Sequence, residues 1–450
     1  MSTGLLAIGI IAIIIVGAIA TRRCTEFLLL GSVLGAFILY GARGLPEWIG
    51  IVQQVVAENA WLWLVCGLFG SLIALLQASK GTFGFSKVVS KLCTNERRTL
   101  LTSFILGILL FVDDYLNVLT IGVCMKGVYD KRKLPRESLA FILNSTGAPV
   151  CVLLPVSTWA VFFGSLFYEE EIISSRYSSG IDAYIHAIPF SFYPILALLV
   201  VFLFCLGVIP KLGAMKKAFR RVAETGKVYS DASRRLNQTD PTAAEGEGNV
   251  WFFLIPMLVL VAVGVITTDI LLAVVVALVV CLVLYVPAKL MSMEEFFNHT
   301  VSGFCDMMSI FFMLVAAFTL KEVCDRMLLT QFLVALAEPL LSPRIFPVVS
   351  FLLLGILAFV TGSNWGMSAV VTPILRPMCA ALGANPVLTM AAIVSGGTFG
   401  SHACFYTDAT ILAANSAGID NMEHAISQLP YVMIAAILSI VGFLVAGYLM

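Results

Sequence analysis

Residues 108–122 read ILLFVDDYLNVLTIG, and two adjacent aspartates, Asp113 and Asp114, stand in the middle of this apolar run. How the run meets a membrane decides the fold. It is bounded by KGTFGFSKVVSKLCTNERR at 80–98 and KGVYDKRKLPRE at 126–137, both strongly basic. Lysine and arginine concentrate in cytoplasmic loops, so both ends of the segment 99–125 read as cytoplasmic. A single crossing conflicts with that sidedness, and two full spans need about 40 residues. The segment is therefore expected to be a re-entrant hairpin of two half-helices with FVDDYLN at its tip.

The surrounding composition makes the membrane reading firm. The chain of 450 residues is 60% hydrophobic and only 12% charged, with a mean hydropathy of +0.99. Soluble domains are about 45–50% apolar and about 25% charged. Repeated apolar runs match the roughly 20 residues that cross a bilayer as a helix. The alternation of a membrane barrel is absent. A formal net charge of zero implies no nucleic-acid partner. The eleven cysteines lie singly in apolar segments without a C-x-x-C, so they read as small buried hydrophobes. No P-loop, nucleotide fold, metalloprotease motif or nucleophile–base pair is visible, and no enzyme or cofactor is implied. The first apolar run, Leu5–Ala20, follows the uncharged MSTG and precedes Arg22 and Arg23, the reverse of a signal peptide. It reads as a membrane helix.

Spans follow from run length and sidedness from loop charge. Helices are expected at about 5–20, 27–42 and 61–79, with a loop carrying Arg43, Glu47 and Glu58 between the last two. After the hairpin, a long crossing at 137–167 is interrupted at NSTGAP and again at Pro155, because proline removes a backbone donor and restricts the residue before it. A helix at about 187–209 returns to the cytoplasm. Residues 210–250 form the one long polar segment and read as a cytoplasmic linker. The second half then repeats the order. Helices are expected at about 251–267, 270–287 and 302–320, and a hairpin at 346–382 around TGSNWG. A crossing at 387–414 is broken at SGGTFGSHACFYTD, and a last helix covers about 428–449. Short amphipathic stretches at 82–93 and 327–341 match one another. Both termini are expected outside.

An internal repeat supports this order. FILGILLFVDD resembles LLLGILAFVTG, with Gly107 over Gly355. Past the tips, an offset of 251 sets Asp113 on Asn364, Asn144 on Ser395 and Ser157 on Asp408. The expected fold is an all-α polytopic membrane protein of two inverted repeats, 1–209 and 251–450. Each has five membrane crossings, one of them broken, and one re-entrant helical hairpin. Inverted repeats with discontinuous helices characterise secondary transporters.

Four constellations carry the candidate chemistry. A carboxylate at a bilayer centre costs about 2.5–3.5 kcal/mol or more, so Asp113 and Asp114 are expected to face protein or a water-filled cavity as cation ligands or proton carriers. Asn117, one turn on, offers another oxygen. Asn144, Ser145, Thr146 and Ser157 lie at the first break. Ser363 and Asn364 lie at the second tip. Ser395, Thr398, His402 and Asp408 lie at the second break. Asp113, Asp114 and Asp408 are the Na⁺ candidates. Arg376 either pairs with a buried acid or an anionic solute, or reaches for the interface.

FVDDYLNVLTIG, LNSTGAPVCVLLPVSTW, TGSNWG and SHACFYTDATILAANSAGIDNMEHAISQLPY together resemble the NhaC-type Na⁺/H⁺ antiporters, from about residue 100 to the end apart from the linker. The resemblance implies a bacterial inner-membrane location, Na⁺ and H⁺ as coupling ions and often a homodimer. Two departures stand out. Family members commonly carry an aspartate where this chain has Asn144. They also commonly read GDHCSP where it has GSHACF, so Ser401 replaces an acid and Phe405 a proline-containing turn. Some relatives couple ions to small organic solutes, and the neutral centre leaves an Na⁺- or H⁺-coupled carrier of an amino acid or small carboxylate as the alternative. The topology is directly testable. A cysteine introduced at residue 130 is expected to react with an impermeant thiol reagent only from the cytoplasmic side, and external labelling there would refute the hairpin.

Overall fold

The computed structural model describes the chain apart from residues 1, 22–23, 81–91, 112–113, 156, 169–172, 174, 238–248, 268, 330–331 and 333–341. Among the described residues the protein is all helix, with no strand. The first half holds α1 (Ser2–Thr21), α2 (Cys24–Tyr40), α3 (Gly44–Glu58), α4 (Ala60–Ala78), α5 (Glu96–Leu109), α6 (Asp114–Lys131), α7 (Arg136–Thr146), α8 (Ala148–Cys151), α9 (Thr158–Tyr168), α10 (Gly180–Ala187) and α11 (Phe192–Leu206). The segment after it contributes α12 (Gly213–Thr225). The second half holds α13 (Trp251–Thr267), α14 (Ile270–Tyr285), α15 (Met293–Asp306), α16 (Met308–Arg326), α17 (Phe346–Thr361), α18 (Asn364–Leu382), α19 (Pro386–Ala403), α20 (Asp408–Ala417) and α21 (Asn421–Leu449).

Thr25–Glu58 and Asn421–Leu449 are each long and apolar enough to cross a membrane, and Gly180–Leu206 and Pro386–Ala417 are apolar pairs bent by 52° and 46°. The residues 44–58, expected as a loop, are helical instead. Ile51 and Val55 are buried there while Glu47 and Glu58 point away, so an amphipathic pattern stood in what read as a polar connection. The single helix expected at 302–320 is divided at Met307 between α15, which a reciprocal capping box of Ser292 and Glu295 opens at Met293, and α16, which runs from Met308 to Arg326. The stretches 82–93 and 327–341 lie largely outside the described residues, as does Asp113.

Both breaks have local causes. α7 stops at Gly147 ahead of Pro149, and a second short helix follows before the chain restarts at Thr158. α19 ends at Ala403, and the chain turns through Cys404–Thr407 until Thr407 accepts a hydrogen bond from the Thr410 N–H (3.2 Å) and opens α20. Between α17 and α18, Gly362 takes φ +67°, a left-handed geometry that favours glycine, and Ser363 caps the next helix through Gly366 N–H (3.1 Å). Helix starts recur at a constant spacing: Asn364, Pro386 and Asp408 each follow Asp114, Arg136 and Thr158 by 250 positions. That is one less than the offset read from the sequence.

Small residues bring the key helices together, as they do in membranes. A Cβ on Gly107 of α5 would sit 2.2 Å from the Thr146 hydroxyl of α7. A Cβ on Gly400 of α19 would sit 2.2 Å from the Gly355 carbonyl of α17. Each hairpin's first arm is thus pressed against the broken helix that follows it. Across the halves, α20 packs on α6 and α7, and α4 crosses α15 where Gly70 meets Gly303.

The segment 210–250 also has structure of its own. Met215, Ala218 and Val222 of α12 are buried. Arg221 forms a two-pronged ion pair with Glu137 of α7 at 2.7 and 3.0 Å. Further on, Ser233 donates to Glu423 (2.6 Å) and accepts from Asp420 N–H (2.8 Å), and the Asn237 amide donates to the Gly418 carbonyl (2.9 Å). One strap therefore touches the entry of the first broken helix and the exit of the second. Glu137 is only 4% exposed. Glu137→Ala leaves the Arg221 guanidinium without its partner, and loss of a partly buried pair is expected to cost about 2–4 kcal/mol. The check is the unfolding midpoint of the purified protein in detergent. An unchanged midpoint would show that the strap is not held there.

Candidate functional site

The sequence-derived residues collect where the hairpin tips meet the broken helices. Asp114 begins α6, is 4% exposed, and packs at the α7 break: a Cβ on Gly147 would lie 3.6 Å from its own Cβ. Its Oδ1 accepts a hydrogen bond from the Trp159 indole N–H (3.3 Å). Asn364 begins α18 and faces the second broken helix at Gly397, where a Cβ would meet its Oδ1 at 2.0 Å. The two contacts are again 250 positions apart, 114 with 147 and 364 with 397. At this spacing Asp114 stands opposite Asn364, where the sequence offset of 251 set Asp113, which lies outside the described residues.

Asp408 opens α20. Its Oδ1 accepts from the Ala409 N–H (2.8 Å), and its Oδ2 accepts from the Tyr115 hydroxyl. A carboxylate in the first turn of a helix is favoured by the helix dipole. The Tyr115–Asp408 bond joins the start of α6 to the start of α20, and so ties the acid of the second broken helix to the residue that follows Asp114. The sequence reading passed over Tyr115. A tyrosine in an apolar helix looks like packing, and only the spacing next to Asp114 hinted at more.

Asn117 is fully buried and its amide Nδ2 donates to the carbonyls of Gly107, Leu110 and Thr146, the last two at 3.1 Å. It ties both arms of the first hairpin to the end of α7. Its Oδ1 has no partner among the described residues. Asn364 has the opposite surplus: Oδ1 accepts from Ser368 (3.1 Å) and the buried Nδ2 is unpartnered among the described residues.

A second, uncharged cluster lies alongside. The Asn144 amide donates to Thr410 (3.3 Å) and Gln428 (3.0 Å) and touches His424 Nε2 at 3.2 Å. His402 bonds Ser145 through Nε2 (3.3 Å) and the Tyr193 hydroxyl through Nδ1 (2.9 Å), while its carbonyl accepts from Gln428 (2.8 Å). His424, Gln428, Thr410 and Tyr193 were missed by sequence reasoning. His424 and Gln428 sit in the first turns of a long helix, where polar residues read as an interface.

The remaining candidates do structural jobs. Thr146 and Thr398 hydroxyls donate to carbonyls four residues back, Ile142 (2.8 Å) and Val394 (2.7 Å). Ser157 donates to the Cys151 carbonyl (2.6 Å) and accepts from Ala160 N–H (3.1 Å), stabilising the first break. Ser363 is the α18 cap, and Ser395 accepts from Tyr193 N–H (3.4 Å). Arg376 donates to the Leu166 carbonyl (2.8 Å). The described cysteines carry no disulfide, and all but Cys305 are buried. Among the described residues no three of His, Cys, Asp or Glu are placed to hold one metal ion. A hard cation here would need hydroxyl, amide and backbone oxygens to complete its shell.

Comparison with known proteins agrees with this arrangement. The family model described as "Na+/H+ antiporter family" matches residues 150–448, which include the part of the first broken helix that follows its break, the second hairpin and the whole second broken helix. An uncharacterised protein of Haemophilus influenzae is 26% identical over 96% of this chain and 89% of its own length. Two relatives match about a quarter of each chain. One is an uncharacterised Na⁺/H⁺ antiporter of Haemophilus influenzae, 31% identical over 24% of this chain and 23% of its own. The other is a malate-2H⁺/Na⁺-lactate antiporter of Bacillus subtilis, 28% identical over 24% of both. Matched over more than half of its length, the second broken helix included, the chain belongs to the Na⁺/H⁺ antiporter family, and it is a membrane transporter, not an enzyme.

Proposed function

We propose that this transporter exchanges Na⁺ and H⁺ by alternating access across a bacterial inner membrane, with Asp114 and Asp408 as the ion- or proton-carrying pair and Asp113 beside them. The observation that carries this reading is the hydrogen bond from Tyr115 to Asp408. It joins Asp408 of the second half to the residue beside Asp114 in the first, and a half that moves must change that contact. The unpartnered Asn117 Oδ1 and the carbonyls at the ends of α5 and α7 offer cation ligands on the first-half side. In this reading the two halves are inverted repeats, the hairpins 96–131 and 346–382 re-enter the bilayer, and both termini lie outside.

A second reading is favoured by the neutral cluster. Asn144, Ser145, His402, His424 and Gln428 supply hydrogen bonds without a carboxylate, and Asn364 Nδ2 is a buried donor with no acceptor among the described residues. Such donors suit the carboxylate of a small organic solute. On the same scaffold, an Na⁺- or H⁺-coupled carrier of a small carboxylate or an amino acid would use Asp114 and Asp408 for the ion and this cluster for the solute.

Proteoliposomes separate the two. An imposed Na⁺ gradient is expected to move internal pH. Labelled malate, lactate and amino acids added in parallel test the alternative, and solute uptake without Na⁺-dependent proton flux would replace the first reading with the second. Asp114→Asn and Asp408→Asn are each expected to abolish the ion-driven flux while leaving expression unchanged, and normal flux in either removes that residue from the site. Loss of a hydrogen bond to a charged group costs about 1.5–3 kcal/mol, so Tyr115→Phe is expected to weaken apparent ion affinity on the order of tenfold or more. An unchanged affinity would leave Tyr115 as packing.

A further inference from the structure

A cavity of about 960 Å³ opens at the basic end of the bundle, lined by the start of α5, the turn after α6, and α12. Lys133, Lys216, Lys217 and Arg220 line it, together with Lys211 and Glu96. Glu96 is committed to Lys211 at 2.7 Å, and Arg220 has only the distant Glu224 at 3.7 Å. The pocket therefore keeps an excess of positive charge at the mouth of a helix, α12, whose apolar side (Met215, Ala218, Val222) is already buried against the protein.

The surroundings say what kind of anion fits. α5, whose start lines the cavity, and α11, which ends five residues before the cavity's Lys211, carry outward apolar stripes: Ile105 and Leu109 on one, Leu199 and Phe202 on the other. The stripes adjoin, since the Phe104 and Phe202 rings lie 5.5 Å apart. A basic pocket at the head of a continuous apolar surface matches a molecule with an anionic head and hydrocarbon chains. Polybasic segments at a membrane surface attract anionic lipid by about 1 kcal/mol per charge.

We propose that this pocket is a binding site for the phosphate headgroup of an anionic phospholipid whose acyl chains lie along α5 and α11. The site does not depend on which solute the transporter moves. It would also hold α12 in place, and α12 carries the Arg221 that grips Glu137 at the entry of the first broken helix.

The test uses the full-length protein in detergent, supplied with phosphatidylglycerol, with phosphatidylcholine, or with inorganic phosphate. Phosphatidylglycerol is expected to raise the unfolding midpoint more than phosphatidylcholine and to be retained preferentially in native mass spectra. The variant K216Q/K217Q/R220Q, which alters only exposed side chains, is expected to retain phosphatidylglycerol on the order of tenfold to a hundredfold less. Lys227→Gln, on the strap but outside the pocket, is expected to behave as wild type. Equal effects of the two lipids on the wild-type protein, or undiminished retention by the triple variant, would overturn the proposal. Stabilisation by inorganic phosphate alone, with displacement of the lipid, would overturn it in favour of a free-phosphate site.

Discussion

Acids inside a bilayer set the terms for the rest of this structure. An ionised side chain there needs partners, and the chain supplies them by breaking helices. Asp114 and Asp408 each open a helix, each accepts from an aromatic side chain, and Tyr115 connects the second acid to the helix of the first. Continuous helices would have placed both carboxylates on lipid-facing or tightly packed walls. Interrupted ones place them at helix starts, where the dipole favours negative charge and irregular backbone is buried in protein.

The glycine contacts are the structural side of the same constraint. Gly107 against Thr146 and Gly400 against Gly355 let each hairpin lie directly on its broken helix. Gly147 and Gly397 then let Asp114 and Asn364 approach the two broken helices at matching positions, the first at the break itself and the second within α19. The matching geometry carries different chemistry. One contact presents a carboxylate and the other an amide with a spare donor. An exchanger of small cations has little use for that donor, whereas a solute with its own carboxylate has.

Much of this was legible in the residues. Glycine and proline at 147–149 marked the first break, the polar run around 401–408 marked the second, and an aspartate pair between two basic loops marked the first hairpin. Asn117, Asn144 and His402 announced themselves as polar groups in apolar runs. What escaped had physical reasons. Tyr115, Tyr193, His424 and Gln428 lie in segments where aromatic or interfacial residues are ordinary, and their roles exist only through partners far along the chain. The register was off by one because the similarity of two Leu-rich helices tolerates a shift that helix starts do not. The helix at Gly44–Glu58 was lost to its glutamates, which obscured the buried face. The Thr146, Ser157 and Thr398 hydroxyls donate to backbone carbonyls, as hydroxyls in membrane helices often do.

The central claim is that the start of α6 and the start of α20 act as one ion site. A double-mutant cycle on the Na⁺ dependence of proton flux, with Tyr115→Phe, the conservative Asp408→Glu, and both together in proteoliposomes, tests it most directly. Coupling on the order of 1–3 kcal/mol between the two changes is the predicted result. Strictly additive effects would contradict it, and would leave Tyr115 and Asp408 as independent groups.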